Sequence, residues 1–199
     1  KRLRTDHIDI YYMHEWDGLT PVEEKMAALE TLIQQGKIRY AGCSNYSGWQ
    51  VMKSLAAAQS HASRFVTQQI HYTLEAREAE YELLPLSVDQ GLGLLIWSPL
   101  MAGLLSGKHR RGSAPAKGSR QEAGWDEPPI RDISRLWNIV DTLVEIGEAH
   151  EVEAAQVALA WLLTRPAVAS LVVGGRRVEQ FERNFRAVDL VLSDNELTL

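Results

Sequence analysis

The sequence predicts an α/β protein, a parallel sheet wrapped by helices, and two observations predict it. Short apolar, β-branched runs alternate with amphipathic helical stretches along the chain, with mostly short connections, the signature of repeated strand–helix units. Composition agrees. The 199 residues carry 45% apolar and 24% charged side chains, 14 Gly and 7 Pro, a globular balance that excludes disorder and fibrous repeats.

Taken in order, Ile8-Asp9-Ile10-Tyr11-Tyr12-Met13 reads as a buried strand. Thr20-Pro21-Val22-Glu23 reads as a capping box with Pro at the first helical position. Val22, Met26, Leu29 and Ile33 then recur at helical spacing, and Gly36 supplies the stop. A second strand runs over Ile38–Cys43, and Ser47 with Gln50 caps a helix carrying Val51, Met52 and Leu55. Arg64–Ile70 is a third strand, followed by a helix over Ala79–Gln90, and Leu94–Trp97 is a fourth strand. From Ser98 to Arg131 the chain is rich in Gly, Pro, Ser and charge and too long for an ordinary connection; residues 106–131 read as a long ligand-side loop. Helices near Ile133–His150 and Ala154–Thr164 lead to a fifth strand at Val168–Val173. That strand ends in Gly174-Gly175-Arg176-Arg177 and a last amphipathic helix ending near Val188.

Two architectures fit this alternation, the doubly wound open sheet and the eight-fold barrel. At roughly 31 residues per barrel unit, five units and one long loop fill the chain. No linker-like break interrupts it, so residues 1–199 read as one domain.

Charge and hydropathy exclude other classes. A net charge of −5 argues against a nucleic-acid partner. The longest uncharged apolar run, Leu92–Leu105, is broken by Gly93, Pro99 and Gly103 and falls short of the roughly 20 residues that span a bilayer, so no membrane partner is expected. The lone Cys43 excludes an intrachain disulfide and fits a reducing, cytoplasmic setting. The chain opens on Lys-Arg-Leu-Arg with neither Met nor a secretory pattern and stops within Glu-Leu-Thr-Leu; both ends read as cut.

In either architecture ligands bind at the C-terminal ends of the strands. Those ends read His14-Glu15-Trp16-Asp17, Ser44-Asn45-Tyr46, Gln69-Ile70-His71-Tyr72, Trp97-Ser98-Pro99-Leu100 and Gly174-Gly175-Arg176-Arg177, polar or aromatic where the strands are apolar. His14 reads either as a group orienting a substrate oxygen or as a histidine bonded to backbone. Glu15 with Asp17 reads as a solvated loop or as an acid/base pair of a sugar-phosphate lyase or isomerase. Ser44, Asn45 and Gln69 offer a hydroxyl and two amides that grip a carboxamide or carbonyl, and Trp97 offers a ring for a planar heterocycle. Between Ser106 and Arg120 stand Lys108, Arg110, Arg111, Lys117 and Arg120 with no acid. The Gly-Gly-Arg-Arg turn opens a helix, so both basic clusters point to a phosphorylated ligand. There is no GxGxxG, P-loop or CxxC, and no metal site is read.

Four ordered motifs also resemble the aldo-keto reductase superfamily, in its bacterial and potassium-channel β-subunit-like branch. The stretch from Arg4 to His14 resembles the family's fourth strand, and Gly36-Lys37-Ile38-Arg39-Tyr40-Ala41-Gly42-Cys43-Ser44-Asn45 its fifth. The stretch from Trp97 to Lys108 resembles the seventh, and Gln180 with Asn184 matches the spacing after the eighth. The resemblance implies a (β/α)8 TIM barrel, of which this chain supplies roughly strands 4 to 8, truncated at both ends. It implies an NADPH-dependent oxidoreductase acting on a small-molecule carbonyl substrate, with His14 catalytic. Ser44, Asn45 and Gln69 would hold the nicotinamide carboxamide and Trp97 would stack on its ring. Ser98, Leu100 and Lys108 would line the pyrophosphate path, and Gly174, Arg176, Gln180 and Asn184 would take the adenosine end, Arg176 at the 2′-phosphate. Arg183 departs from the pattern, standing where the family has Glu. The family's other catalytic groups, Asp, Tyr and Lys, belong to earlier barrel units, so the chain alone is expected to be inactive. The alternative implied is a cofactor-binding regulatory subunit with little turnover. Oligomeric state is not read.

Overall fold

Five strands and six helices follow the expected alternation, and the computed structural model describes residues 2–58, 60, 62–125 and 129–198. In chain order they are β1 (Ile8–Met13), α1 (Val22–Gln34), β2 (Ile38–Ser44), α2 (Gly48–Ala57), β3 (Phe65–His71), α3 (Leu83–Gln90), β4 (Gly93–Trp97), α4 (Ile133–Ala149), α5 (Ala154–Leu163), β5 (Val168–Val172) and α6 (Val178–Phe185). The sheet order is β1-β2-β3-β4-β5, and both β1–β2 and β2–β3 pair parallel. The chain divides into two compact units: Lys1–Ile70 with Ala79–Leu95, and His71–Glu78 with Ile96–Leu199.

In the first unit, Val22, Met26 and Leu29 of α1 pack with Ala41 and Cys43 of β2, Val51 and Leu55 of α2, and Phe65 of β3. A Schellman turn ends α1: Gly36 N–H donates to Ile33 O and Lys37 N–H to Leu32 O, with Gly36 at φ +67°. Gly42 is needed for a different reason. A Cβ there would stand 2.8 Å from the Tyr12 ring and 2.9 Å from a Thr67 methyl, because Tyr12 crosses Gly42 to donate its hydroxyl to Thr67 Oγ1 at 3.0 Å.

Three expectations change here. β1 is not buried: Ile8, Ile10 and Tyr11 are 36%, 38% and 41% exposed, because β1 stands at the end of the strand order. The Thr20-Pro21-Val22-Glu23 box does not form; Pro21 itself is the N-cap without a side-chain bond, and Asp17 takes the Leu19 and Thr20 N–H groups instead. Glu78–Glu80 makes only a 3-10 turn, and α3 starts at Leu83. Pro85 explains this, since its ring clashes with the carbonyl four residues back and cannot sit inside a helix begun at Ala79.

The second unit is built on α5, whose residues Ala154–Leu162 are all buried. The inward face of α4 (Leu136, Val140, Leu143, Ile146) is buried too, and Asp132 caps α4 by accepting from Ser134 N and Arg135 N. Between β4 and α4 lies one 3-10 stretch, Met101–Ser106; residues 107–132 hold no helix or strand among those described. No described helix is long and apolar enough to cross a membrane.

Candidate active site

In the first unit the C-terminal strand ends are tied to one another by backbone and amide bonds. His14 follows β1 and is exposed, and its carbonyl accepts from Asn45 Nδ2 at 3.4 Å. Asn45 turns left-handed at φ +59°, a conformation its short polar side chain tolerates better than most, and its N–H donates to Gln69 O at 3.0 Å. Ser44 registers with Gln69 across β2 and β3. Ser44 is buried, and its Oγ has no hydrogen-bond partner. An unpaired buried hydroxyl costs about 1–3 kcal/mol, so one at a strand end asks for a ligand. Gln68, unremarked in the sequence, matters as well. It is fully buried and donates from Nε2 to Tyr46 O at 2.7 Å, pinning the loop that carries Asn45. Its only signal was a second amide beside Gln69 in an apolar strand.

Glu15 and Asp17 do not form an acid/base pair. Asp17 accepts from Leu19 N at 2.8 Å and Thr20 N at 3.3 Å, and the Thr20 hydroxyl first and then these N–H groups hold its carboxyl below the usual range, so this carboxylate organises the turn into α1. Among the described residues no cluster of His, Cys, Asp and Glu suits a metal ion. An open depression of about 430 Å³ lined by Arg2, Asp6, His7 and Lys37 lies at the opposite, N-terminal ends of β1 and β2.

In the second unit Trp97 ends β4, half-buried, and the His71 ring lies against it with centroids 4.5 Å apart and planes 31° apart. The next residues turn sharply, with Ser98, Met101, Ala102 and Gly103 at φ of +51°, +50°, +53° and +96°. The turn satisfies itself: Ser98 Oγ accepts from Ala102 N at 3.2 Å, and Leu100 O accepts from Gly103 N and Leu105 N. Lys108 reaches back over this turn, so close that a Cβ on Gly103 would stand 3.0 Å from Nζ.

The two basic clusters meet. The Arg176 guanidinium donates to Gly118 O of the long loop, and Lys108 is held below its ordinary pKa by burial first and then by Arg176 and Arg120. Lys108 thus feels two further cations, and an anion bound there relieves that repulsion. The expected use of free N–H groups at the start of α6 is corrected, because Gln180 Oε1 accepts from Arg176 N at 2.8 Å and Arg177 N at 3.2 Å. Gln180 Oε1 thus caps these two N–H groups. Gly174 is open, whereas a Cβ on Gly175 would meet the Phe181 ring at 2.9 Å. Asn184 is half-buried on α6. Arg183 is engaged by Glu153 and by Glu179 O.

Parallel strand–helix units with polar C-terminal strand ends, together with a converging cation cluster, define an α/β scaffold of the ligand-binding kind. The aldo/keto reductase family profile matches residues 1–199, and the chain belongs to that family. It is 39% identical over 200 residues to an uncharacterized oxidoreductase, YrpG, of Bacillus subtilis, covering 99% of this chain and 58% of that protein. It is 33% identical to a probable voltage-gated potassium channel β subunit of Arabidopsis thaliana (96% and 59% covered) and 36% to norsolorinic acid reductase of Emericella nidulans (98% and 48%). The crystal structure of a thermostable aldo-keto reductase in complex with the inhibitor epalrestat superposes with a TM-score of 0.77 at 28% identity, covering 99% of this chain and 60% of that one. The chain thus spans about half to three-fifths of the length of these relatives. The expected fold class holds: α/β, five strand units of the (β/α)8 barrel.

Proposed function

We propose that this chain carries the NADPH-binding residues and the catalytic histidine of an aldo-keto reductase that reduces aldehydes or ketones to alcohols. The observation that carries this reading is the basic cluster, in which Lys108 lies over the Gly103 turn, its pKa lowered by burial first and then by Arg176 and Arg120, while Arg176 holds the loop at Gly118. A dinucleotide bearing an extra phosphate suits that cluster. The cofactor, when bound, supplies a hydride from nicotinamide C4. Arg176 holds the 2′-phosphate, Lys108 and the Ser98 hydroxyl serve the pyrophosphate beside Leu100, and Gly174 and Asn184 border the adenosine. The buried, unpaired Ser44 hydroxyl fits a carboxamide, with Asn45 and Gln69 as its neighbours, and Trp97 offers an indole ring to the nicotinamide. His14 orients the carbonyl oxygen of a small substrate. A buried Cys43, whose thiol burial pushes up to about 12, is inert and suits a cytoplasmic setting.

Binding is tested by titrating NADPH and NADH while following tryptophan fluorescence. Arg176→Ala is expected to weaken NADPH about tenfold or more and NADH far less, since a charge-assisted guanidinium–phosphate contact is worth roughly 1.5–3 kcal/mol. Equal loss for both cofactors refutes the 2′-phosphate role. His14→Ala in the full-length protein is expected to lower turnover of a small aldehyde at unchanged NADPH affinity. The likeness to a potassium channel β subunit favours a second reading, a regulatory cofactor-binding protein. Tight NADPH binding by the full-length protein without turnover across an aldehyde and ketone panel decides for it.

A further inference from the structure

We propose that His71 is a positioning residue: it backs the Trp97 ring and sets the orientation in which that ring receives the nicotinamide. The inference rests on the reading of Trp97 as the nicotinamide platform and names the residue that prepares it. His71 is the last residue of β3 and Trp97 the last of β4. Their rings lie 4.5 Å apart and tilted 31° from parallel, nearer face to face than edge to face. The His71 Nε2 atom is buried and has no hydrogen-bond partner, although a histidine placed for hydrogen bonding would spend that atom on a donor or acceptor. What the site uses is a flat, uncharged face.

The surroundings keep that face uncharged and still. Burial, reinforced by the Arg131 guanidinium against the weaker opposing pull of Glu78, lowers the His71 pKa to about 4. The segment after His71 is fastened at both ends. Thr73 Oγ1 accepts from Glu75 N and Ala76 N, and the fully buried Glu75 accepts from Arg131 N at 2.8 Å and Asp132 N at 3.3 Å. The Arg131 guanidinium reaches Glu78 and lies 3.5 Å from Glu75 Oε2. An indole supported by such a ring loses its rotamer freedom before the cofactor arrives, and affinity gains what ordering would otherwise cost.

The test is NADPH titration of the parent, His71→Ala and His71→Phe, read by tryptophan quenching and by the near-ultraviolet circular dichroism of the indole. His71→Ala is expected to bind NADPH about three- to tenfold more weakly, the range of one lost aromatic pair, and to alter the indole spectrum. His71→Phe, which keeps a flat ring and cannot titrate, is expected to restore both. In a Trp97→Ala background, His71→Ala is expected to have no further effect on affinity. Undiminished affinity in His71→Ala, failure of Phe to rescue, or additive loss in the double variant overturns the inference and leaves the cofactor reading standing. Absence of NADPH binding by the parent overturns both.

Discussion

At the scale of single residues the chain separates groups whose partners are local from groups whose partners are far away. Asp17 serves Leu19 and Thr20 two and three positions on, and Gln180 caps the residues just before it. Histidine 71 is the opposite case, stacked on a residue 26 positions later. Its protonation gives a pH prediction. The unfolded chain takes up a proton near the ordinary 6.5, the folded ring only near about 4. The stabilisation from the neutral ring is therefore complete above pH 6.5 and lost as pH falls from 6.5 towards 4. Between pH 7 and 4.5 the urea midpoint of the parent is expected to fall more steeply than that of His71→Phe; equal slopes refute the assignment. Glu196 acts lower, where bonds from Ser193 and His150 hold it at about 2 and its contribution disappears from about 4.5 downward. Polar strand ends were legible, His71 among them, because they interrupt apolar runs. The partners of Gln68, Glu75 and His71 were not, because only the fold brings them near.

At the scale of elements, punctuation was read better than extent. Gly36 does stop α1, and the long stretch before α4 does stay free of helix and strand among the described residues. The early start expected for α3 ignored Pro85, and the capping box expected before α1 lost the Thr20 N–H to Asp17, a carboxylate outside the motif. Competition for the same backbone donors decided that end, which a four-residue pattern does not register. The start of α4 shows the motif working. Asp132 Oδ1 accepts from Ser134 N at 2.8 Å and Arg135 N at 3.0 Å, while its own N–H is held by buried Glu75. Asp132→Ala is expected to cost about 1 kcal/mol by chemical denaturation, whereas Asp132→Asn, which keeps an accepting oxygen, loses less. Equal losses in the two variants argue that Asp132 acts through its charge instead.

At the scale of the whole chain, a net charge of −5 coexists with a cation cluster inside one unit, so the global charge says little about the ligand face. The apolar β1 carries a similar lesson. Read alone, Ile8-Asp9-Ile10-Tyr11-Tyr12-Met13 is a buried strand; in the fold it pairs with β2 and is left with Ile8, Ile10 and Tyr11 more than a third exposed. An apolar strand at the end of a sheet offers unpaired N–H and C=O groups beside apolar side chains, which templates pairing with another chain. Asp9, bonded to Arg39 at 2.9 Å, is the charge within that strand that already opposes it. The chain is accordingly expected to associate as its concentration rises, read as a mass increase by size exclusion with light scattering. Ile10→Lys, which adds a charge at a position 38% exposed in the fold, is expected to suppress association at a cost in stability of about 1–2 kcal/mol, since more than half of the Ile10 surface is buried. A parent that stays monomeric at high concentration, or an Ile10→Lys variant that associates equally, shows that β1 is not the surface through which copies meet.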